Sequence, residues 1–159
     1  MDTTEAHVLK SLLEDQPVAS LSTLHKGEPA VSMVPFALLP HAPCFVIHVS
    51  RLATHTNDML SSPVVGLMVM ASPGAADSPL ALPRVTIQGV ARQCTPDSPD
   101  YKSARGGYLA KLPQSQDLFS FADFSLFIIE PKSVRFVAGF GRAMSLTPAQ
   151  FAAVMGIPE

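Results

Sequence analysis

Between Ser50 and Asn57 the chain reads Ser-Arg-Leu-Ala-Thr-His-Thr-Asn, the stretch densest in groups that can do chemistry. It offers hydroxyls at Ser50, Thr54 and Thr56, a guanidinium at Arg51 and an imidazole at His55. The stretch falls between an expected strand end and an expected helix start. A helix N-terminus presents free N–H groups and a partial positive charge, so a phosphate suits it. Arg51 can fork two phosphate oxygens. The same residues also have a plain structural use: Thr54 can cap the helix, and Arg51 can pair with an acid.

A second cation, Arg84, stands in the run Leu82-Pro83-Arg84-Val85-Thr86-Ile87-Gln88-Gly89. On the inner face of a strand it needs an anionic partner, because a buried unpaired charge is costly. On the outer face it is simply solvated. Gln88 shares its face by the period of two, and Gly89 marks a bulge or the close approach of another backbone. Gly139-Phe140-Gly141-Arg142-Ala143 allows a tight backbone path and reads as a turn leaving the last strand. It lacks the third glycine of a dinucleotide fingerprint.

Other chemistries find no support. The histidines at 7, 25, 41, 48 and 55 are scattered, with no zinc-ligand spacing. His48 lies in a buried strand and is expected to be a hydrogen-bonded core histidine. Asp58, Asp123 and Glu130 stand singly and make no carboxylate pair. There is no nucleophile elbow and no phosphate loop.

The elements that must position these residues follow from periodicity. Thr3 to Glu14 is an amphipathic helix with Val8, Leu9, Leu12 and Leu13 on one face, capped by Thr3 or Thr4. Val18 to Leu24 and Ala30 to Leu39 are strands joined by the turn His25-Lys26-Gly27-Glu28-Pro29. Pro35 interrupts the second and marks an edge or a bulge. Cys44 to Val49, Val64 to Met70 and Arg84 to Arg92 are strands. A short helix runs through Leu60. Pro99 to Leu112 and Gln116 to Phe121 form a helical pair, with a break expected at Gly106-Gly107. Phe124 to Ile129 and Val134 to Phe140 are two closing strands about a Glu130-Pro131-Lys132 turn. Thr147-Pro148 starts a final helix. Helices and strands do not alternate regularly. The expected fold is therefore mainly β (α+β), an antiparallel barrel with short helices and a C-terminal helix.

Composition narrows the class. The 159 residues fit one domain, 1–159, and 47% of them are hydrophobic. Only 15% are charged, which excludes disorder and reads either as a large core or as a charge-depleted dimer interface. A net charge of −2 and a pI of about 6.2 supply no basic field for nucleic acid. No apolar run is long enough to span a membrane. Met1 to Asp15 show no signal-peptide core, and Cys44 and Cys94 read as reduced, packed thiols, so a cytoplasmic location is expected.

Four segments together resemble a known family: Ala19-Ser20-Leu21-Ser22-Thr23-Leu24, Ser50-Arg51-Leu52-Ala53-Thr54-His55-Thr56, the run from Pro79 to Gly89, and Gly139-Phe140-Gly141-Arg142-Ala143. They look like the pyridoxamine 5′-phosphate oxidase-like superfamily of FMN-binding split barrels, and within it like the haem-utilisation (HugZ-type) branch. The resemblance implies a Greek-key split β-barrel and a homodimer with cofactor sites at the subunit interface. It implies FMN as cofactor and an FMN-dependent oxidoreductase of unknown small-molecule substrate. Haem binding, or non-catalytic carriage of flavin or haem, is the alternative. Carried over by position, Ser32, Met33, Val34 and Pro35 would flank the flavin ring. Ser50, Arg51, His55 and Thr56 would surround its phosphate, with Arg84 reaching it from a neighbouring strand and Gln88 beside it. True oxidases of the family carry a C-terminal Arg-x-His motif and a phosphate-loop lysine. This chain has Gly141-Arg142-Ala143-Met144-Ser145 and His55 instead. Long haem-utilisation members place their ligating histidine near the C-terminus; the last histidine here is His55.

Overall fold

Ala19, Leu21 and Thr23 are buried while Val18 and Leu24, on the opposite face, are exposed, and this period of two runs through most strands. The computed structural model describes residues 1–157. The chain runs α1 (Thr3–Asp15), β1 (Val18–His25), β2 (Glu28–Pro35), β3 (Ala37–Leu38), β4 (Phe45–Ser50), α2 (Thr54–Ser61) and β5 (Val64–Met70). It continues through β6 (Arg84–Cys94), α3 (Tyr101–Lys111), β7 (Phe124–Val137), β8 (Ala143–Leu146) and α4 (Pro148–Val154). Short 3₁₀ turns fill the connections, the longest being Pro113–Ser120.

All strands join one antiparallel sheet in the order β2-β1-β5-β6-β7-β4-β3, with β8 also on β7. The sheet curls into a half-barrel. Its concave face holds Leu21, Val34, Phe45, Ile47, Ile87 and Phe136, closed by Leu9 and Leu13 of α1 and Phe151 of α4. Phe45 stacks on Phe151 at 6.0 Å. On the convex face α3 covers one part only, packing Ala104 and Tyr108 on Val46, Cys94, Leu126 and Ile128. The expected mainly β split barrel with a C-terminal helix is therefore the fold observed.

Several local expectations are corrected. The cap of α1 is Asp2, whose carboxylate accepts from Glu5 N while Asp2 N donates to Glu5, both at 2.8 Å. This reciprocal box satisfies two free donors at once, which Thr3 or Thr4 inside the helix cannot do. Glu130-Pro131-Lys132 is not a turn: β7 runs straight through it. The register steps from Gly89↔Pro131 to Gln88↔Ser133, so Lys132 is the extra residue of a bulge. A bulge tolerates a proline that a regular ladder would exclude. Gly89 is the required partner there, since a Cβ would stand 2.7 Å from Glu130 O. The chain after Gly139 is more than an exit turn; it returns as β8 along β7. Pro35, as expected, ends an edge strand.

Gly106-Gly107 does not break α3, which is continuous. Gly107 instead lets the helix press on the loop after β3: a Cβ would meet Pro40 Cδ at 2.7 Å and Leu38 O at 3.1 Å. Gly106 has nothing within 4 Å. Gly107→Ala should therefore destabilise the fold by about 1–3 kcal/mol through overpacking. Gly106→Ala should be neutral or stabilise by up to about 1 kcal/mol through helix propensity. Urea unfolding of both variants checks the pair; equal effects would refute this account of the helix contact.

Candidate functional site

The corner from Ser50 to Asn57 forms as the sequence implies, but its polar groups are turned on one another. Ser50 Oγ donates to Asp123 Oδ2 at 2.7 Å and accepts from Leu52 N at 3.1 Å. Thr56 Oγ1 donates to Ser50 O at 2.6 Å. Asn57 Nδ2 donates to Arg51 O at 3.2 Å, and Arg51 N donates to Asp123 O at 2.7 Å. The N-cap of α2 is Ala53, with no side-chain cap, so Thr54 does not cap the helix. Burial holds His55 below the ordinary imidazole range, with Asp58 pulling the other way, so it is neutral at pH 7. The guanidinium of Arg51 is the remaining charge donor, exposed and without a carboxylate partner among the described residues. Asp123 brings a negative charge to the place where a phosphate would sit. This donor set fits a phosphate dianion poorly.

Arg84 and Gln88 are not at this corner within one chain. β7 lies between β6 and β4; Arg84 pairs with Val137 and Ser50 with Phe124, at opposite ends of β7. Arg84 Nη1 instead donates to Leu80 O and Leu82 O at 3.3 and 3.0 Å. Arg84 and Gln88 share the open convex face with Met33 and Pro35. One row across the sheet runs Val31–Ser22–Gly66–Gln88–Ser133. The next runs Met33–Ser20–Met68–Thr86–Arg135–Ser145. The rows start apolar, pass small residues and end polar and cationic. Val31 is 74% exposed, Met33 63% and Val64 57%. Ser32 and Val34 point the other way; Ser32 Oγ is buried with no hydrogen-bond partner.

Two features escaped sequence reasoning. The first is a polar cluster inside the barrel end. Asp58 is 6% exposed and accepts from Thr23 Oγ1 at 3.0 Å and from His25 Nδ1 at 2.8 Å. These bonds hold its carboxyl below the usual carboxylate range, the His25 bond most of all. Asp58 lies 33 residues from His25, so no local pattern could reveal the pair. The second is His48. It is not a satisfied core histidine: its Nδ1 is buried without a partner. The ring stacks on Phe119 at 3.9 Å and lines a cavity of about 280 Å³. Burial, and then the Arg105 charge, push its pKa down to about 4.

Both groups couple folding to pH. The folded-state pKa of Asp58 is depressed, so its contribution is present at neutral pH and is lost as pH falls below its ordinary 3.8. Asp58→Asn should lower stability at pH 7 and approach the parent protein in more acidic solution. His48 binds a proton below about 6.5 when unfolded but only below about 4 when folded. Stability should thus drop through that window, by an amount on the order of 2–3 kcal/mol. His48→Phe should flatten the curve between those limits. Urea midpoints measured from pH 7 to pH 3 check both; parallel curves for all three proteins would contradict them.

Residues 6–138 match the family described as "Pyridoxamine 5'-phosphate oxidase". Over 127 residues, 79% of the chain, it is 35% identical to the non-canonical heme oxygenase HOZ, chloroplastic, of Arabidopsis thaliana, covering 37% of that protein. It is 26% identical over 141 residues to heme oxygenase HutZ of Vibrio cholerae, covering 87% of this chain and 79% of the relative. A heme binding protein from Mycobacterium smegmatis superposes with a TM-score of 0.83 at 29% identity, over 96% of this chain and 62% of that one. The chain thus spans little more than a third of the Arabidopsis relative and less than two thirds of the mycobacterial protein. No helix among the described residues is long and apolar enough to cross a membrane. The family match runs from α1 to the end of β7, through every strand that frames the corner and most of the open face, and the chain belongs to the pyridoxamine 5′-phosphate oxidase family.

Proposed function

We propose that the chain is one half of a homodimer that binds haem at the open convex face and serves in haem utilisation. The observation that carries this reading is the pair of rows described above. Exposed aliphatic and thioether groups on β2 give way to Ser20, Ser22 and Gly66, then to Gln88 and Arg135, with Arg84 on the same face two residues before Thr86. An apolar, planar macrocycle with acidic side chains matches that gradient in polarity. Val31, Met33 and Met68 would meet the macrocycle, and Arg84 and Arg135 would pair with its carboxylates. Arg135 Nη1 is held meanwhile by Ser145 Oγ at 3.2 Å. Bound haem would supply iron redox chemistry; the chain's part is to exclude water and fix orientation.

A second copy is the natural cover for such a face. Monomeric proteins rarely leave apolar patches of this kind open, and charge depletion is the mark of an interface core. The relatives support the haem assignment: two are named heme oxygenases and one solved neighbour a heme binding protein. FMN is the second reading, with an FMN-dependent oxidoreductase activity. What favours it is the free guanidinium of Arg51, exposed at the corner where a phosphate would sit. The closed hydrogen bonds of the Ser50–Thr56 corner weigh against it.

Spectra of the purified protein titrated with each cofactor separate the two readings. Haem should give a saturable Soret band with one haem per chain, and FMN should bind at least about tenfold more weakly. Tighter FMN binding would reverse the assignment. Met33→Asp should both split the dimer, by light scattering, and weaken haem by about tenfold or more, because it places a charge in a desolvated contact. A Met33→Asp protein that stays dimeric with unchanged haem affinity would refute the proposed face.

A further inference from the structure

A second site lies on the convex face, on the far side of the bulge. His48 pairs with Leu126, and Leu126 with Cys94, on the part of the sheet that α3 covers. Cys94 is six residues beyond Gln88 along β6, about 20 Å at the strand rise. The cavity of about 280 Å³ there is walled by Phe119, Phe121 and Phe124, and its polar lining comes from His48, Arg51, Gln93, Thr95, Tyr101 and Ser125. That volume is at the small end for ligand sites, enough for one aromatic ring and too little for a porphyrin or a flavin.

Three groups in it are left partly unsatisfied by the fold. Phe121 leaves 52% of its surface exposed at the cavity. Arg51 has no carboxylate partner among the described residues. The His48 ring lies flat on Phe119, 9° from parallel, and leans on Phe124 at 5.2 Å. Its buried Nδ1 has no partner. A buried orphan N–H is rarer than an unused lone pair, which favours the tautomer with its proton on Nε2 and its lone pair on Nδ1. Nε2–H is then a donor on the cavity wall. Asp123, bonded to Ser50, stands close by and disfavours a dianion more than a single charge.

We propose that this cavity is a binding site for a small aromatic carboxylate, its ring against Phe121 and Phe124 and its carboxylate shared by the Arg51 guanidinium and His48 Nε2–H. The site is separate from the proposed haem face and stands whether or not haem binds. Benzoate, with acetate as the control lacking a ring, is the probe. In calorimetric titration of the full chain, benzoate should bind one per chain, and at about 10 mM should shift the His48 ring resonances in NMR. Acetate should bind at least about tenfold more weakly. Arg51→Gln, at the surface, and His48→Phe, which keeps the stacked ring, should each weaken benzoate by about tenfold, the scale of a charge-assisted hydrogen bond. Arg51→Gln keeps the test open if His48→Phe does not fold. Absence of binding, equal binding of acetate, or unchanged affinity in Arg51→Gln would overturn the proposal.

Discussion

The long antiparallel pairing of β6 with β7, broken once by the bulge at Gly89 and Lys132, governs the rest of the molecule. Eleven residues of β6 find partners on β7 across that step. β7 is then long enough to serve two further neighbours on its other edge, β4 along its first half and β8 along its second. The bulge is made possible by a missing side chain. A Cβ on Gly89 would collide with Glu130 O, so the backbones could not approach and the sheet could not bend there. Curvature at this point wraps the concave face around a single core and divides the convex face into two territories.

The two territories have opposite characters, and that division carries the functional reading. Beyond Gly89 along β6 the convex face is roofed by α3, which needs Gly107 to come close to Pro40. Before it the face is bare, with β2 offering Val31 and Met33 to solvent at the sheet edge. A bare apolar edge strand is a hazard for aggregation unless another surface covers it. The proposed twin subunit, with a flat ligand between the copies, would resolve that hazard and would account for the charge-poor composition. The covered territory ends in an aromatic-walled cavity where His48 remains without a hydrogen-bond partner, so each territory has its own candidate chemistry.

Polar groups inside the barrel end follow a different logic. Asp58 reaches inward from α2 and gathers Thr23 and His25 from β1, fixing the helix against the strand. A buried carboxylate is tolerated because two donors face it. The Ser50 corner is built in the same inward-looking way: its hydroxyls stabilise the chain reversal between β4 and α2 and leave Arg51 as the group available to a ligand. Hydroxyl-rich sequence at a helix start therefore does not by itself mark a phosphate site. The destination of each O–H decides.

What the sequence determined was local. Alternation fixed β1 and β6, apolar runs of β-formers fixed β4 and β5, amphipathic spacing fixed α1, and Thr147-Pro148 fixed the start of α4, because these signals are written in neighbouring residues. Four short motifs were enough for the family. Features set by contacts between distant residues were not legible. The bulge turned an expected hairpin at Pro131 into one continuous strand. Gly107 became a packing contact instead of a helix break. The expected site residues fell into three groups: Met33, Pro35, Arg84 and Gln88 on the open face, Ser32 and Val34 facing inward, and Ser50, Arg51, His55 and Thr56 at the corner. Side-chain direction alternates along a strand, and strand order decides which ends meet. Only the tertiary structure could therefore place Arg84 far from Ser50, join His25 to Asp58, and leave His48 unpaired beside a cavity.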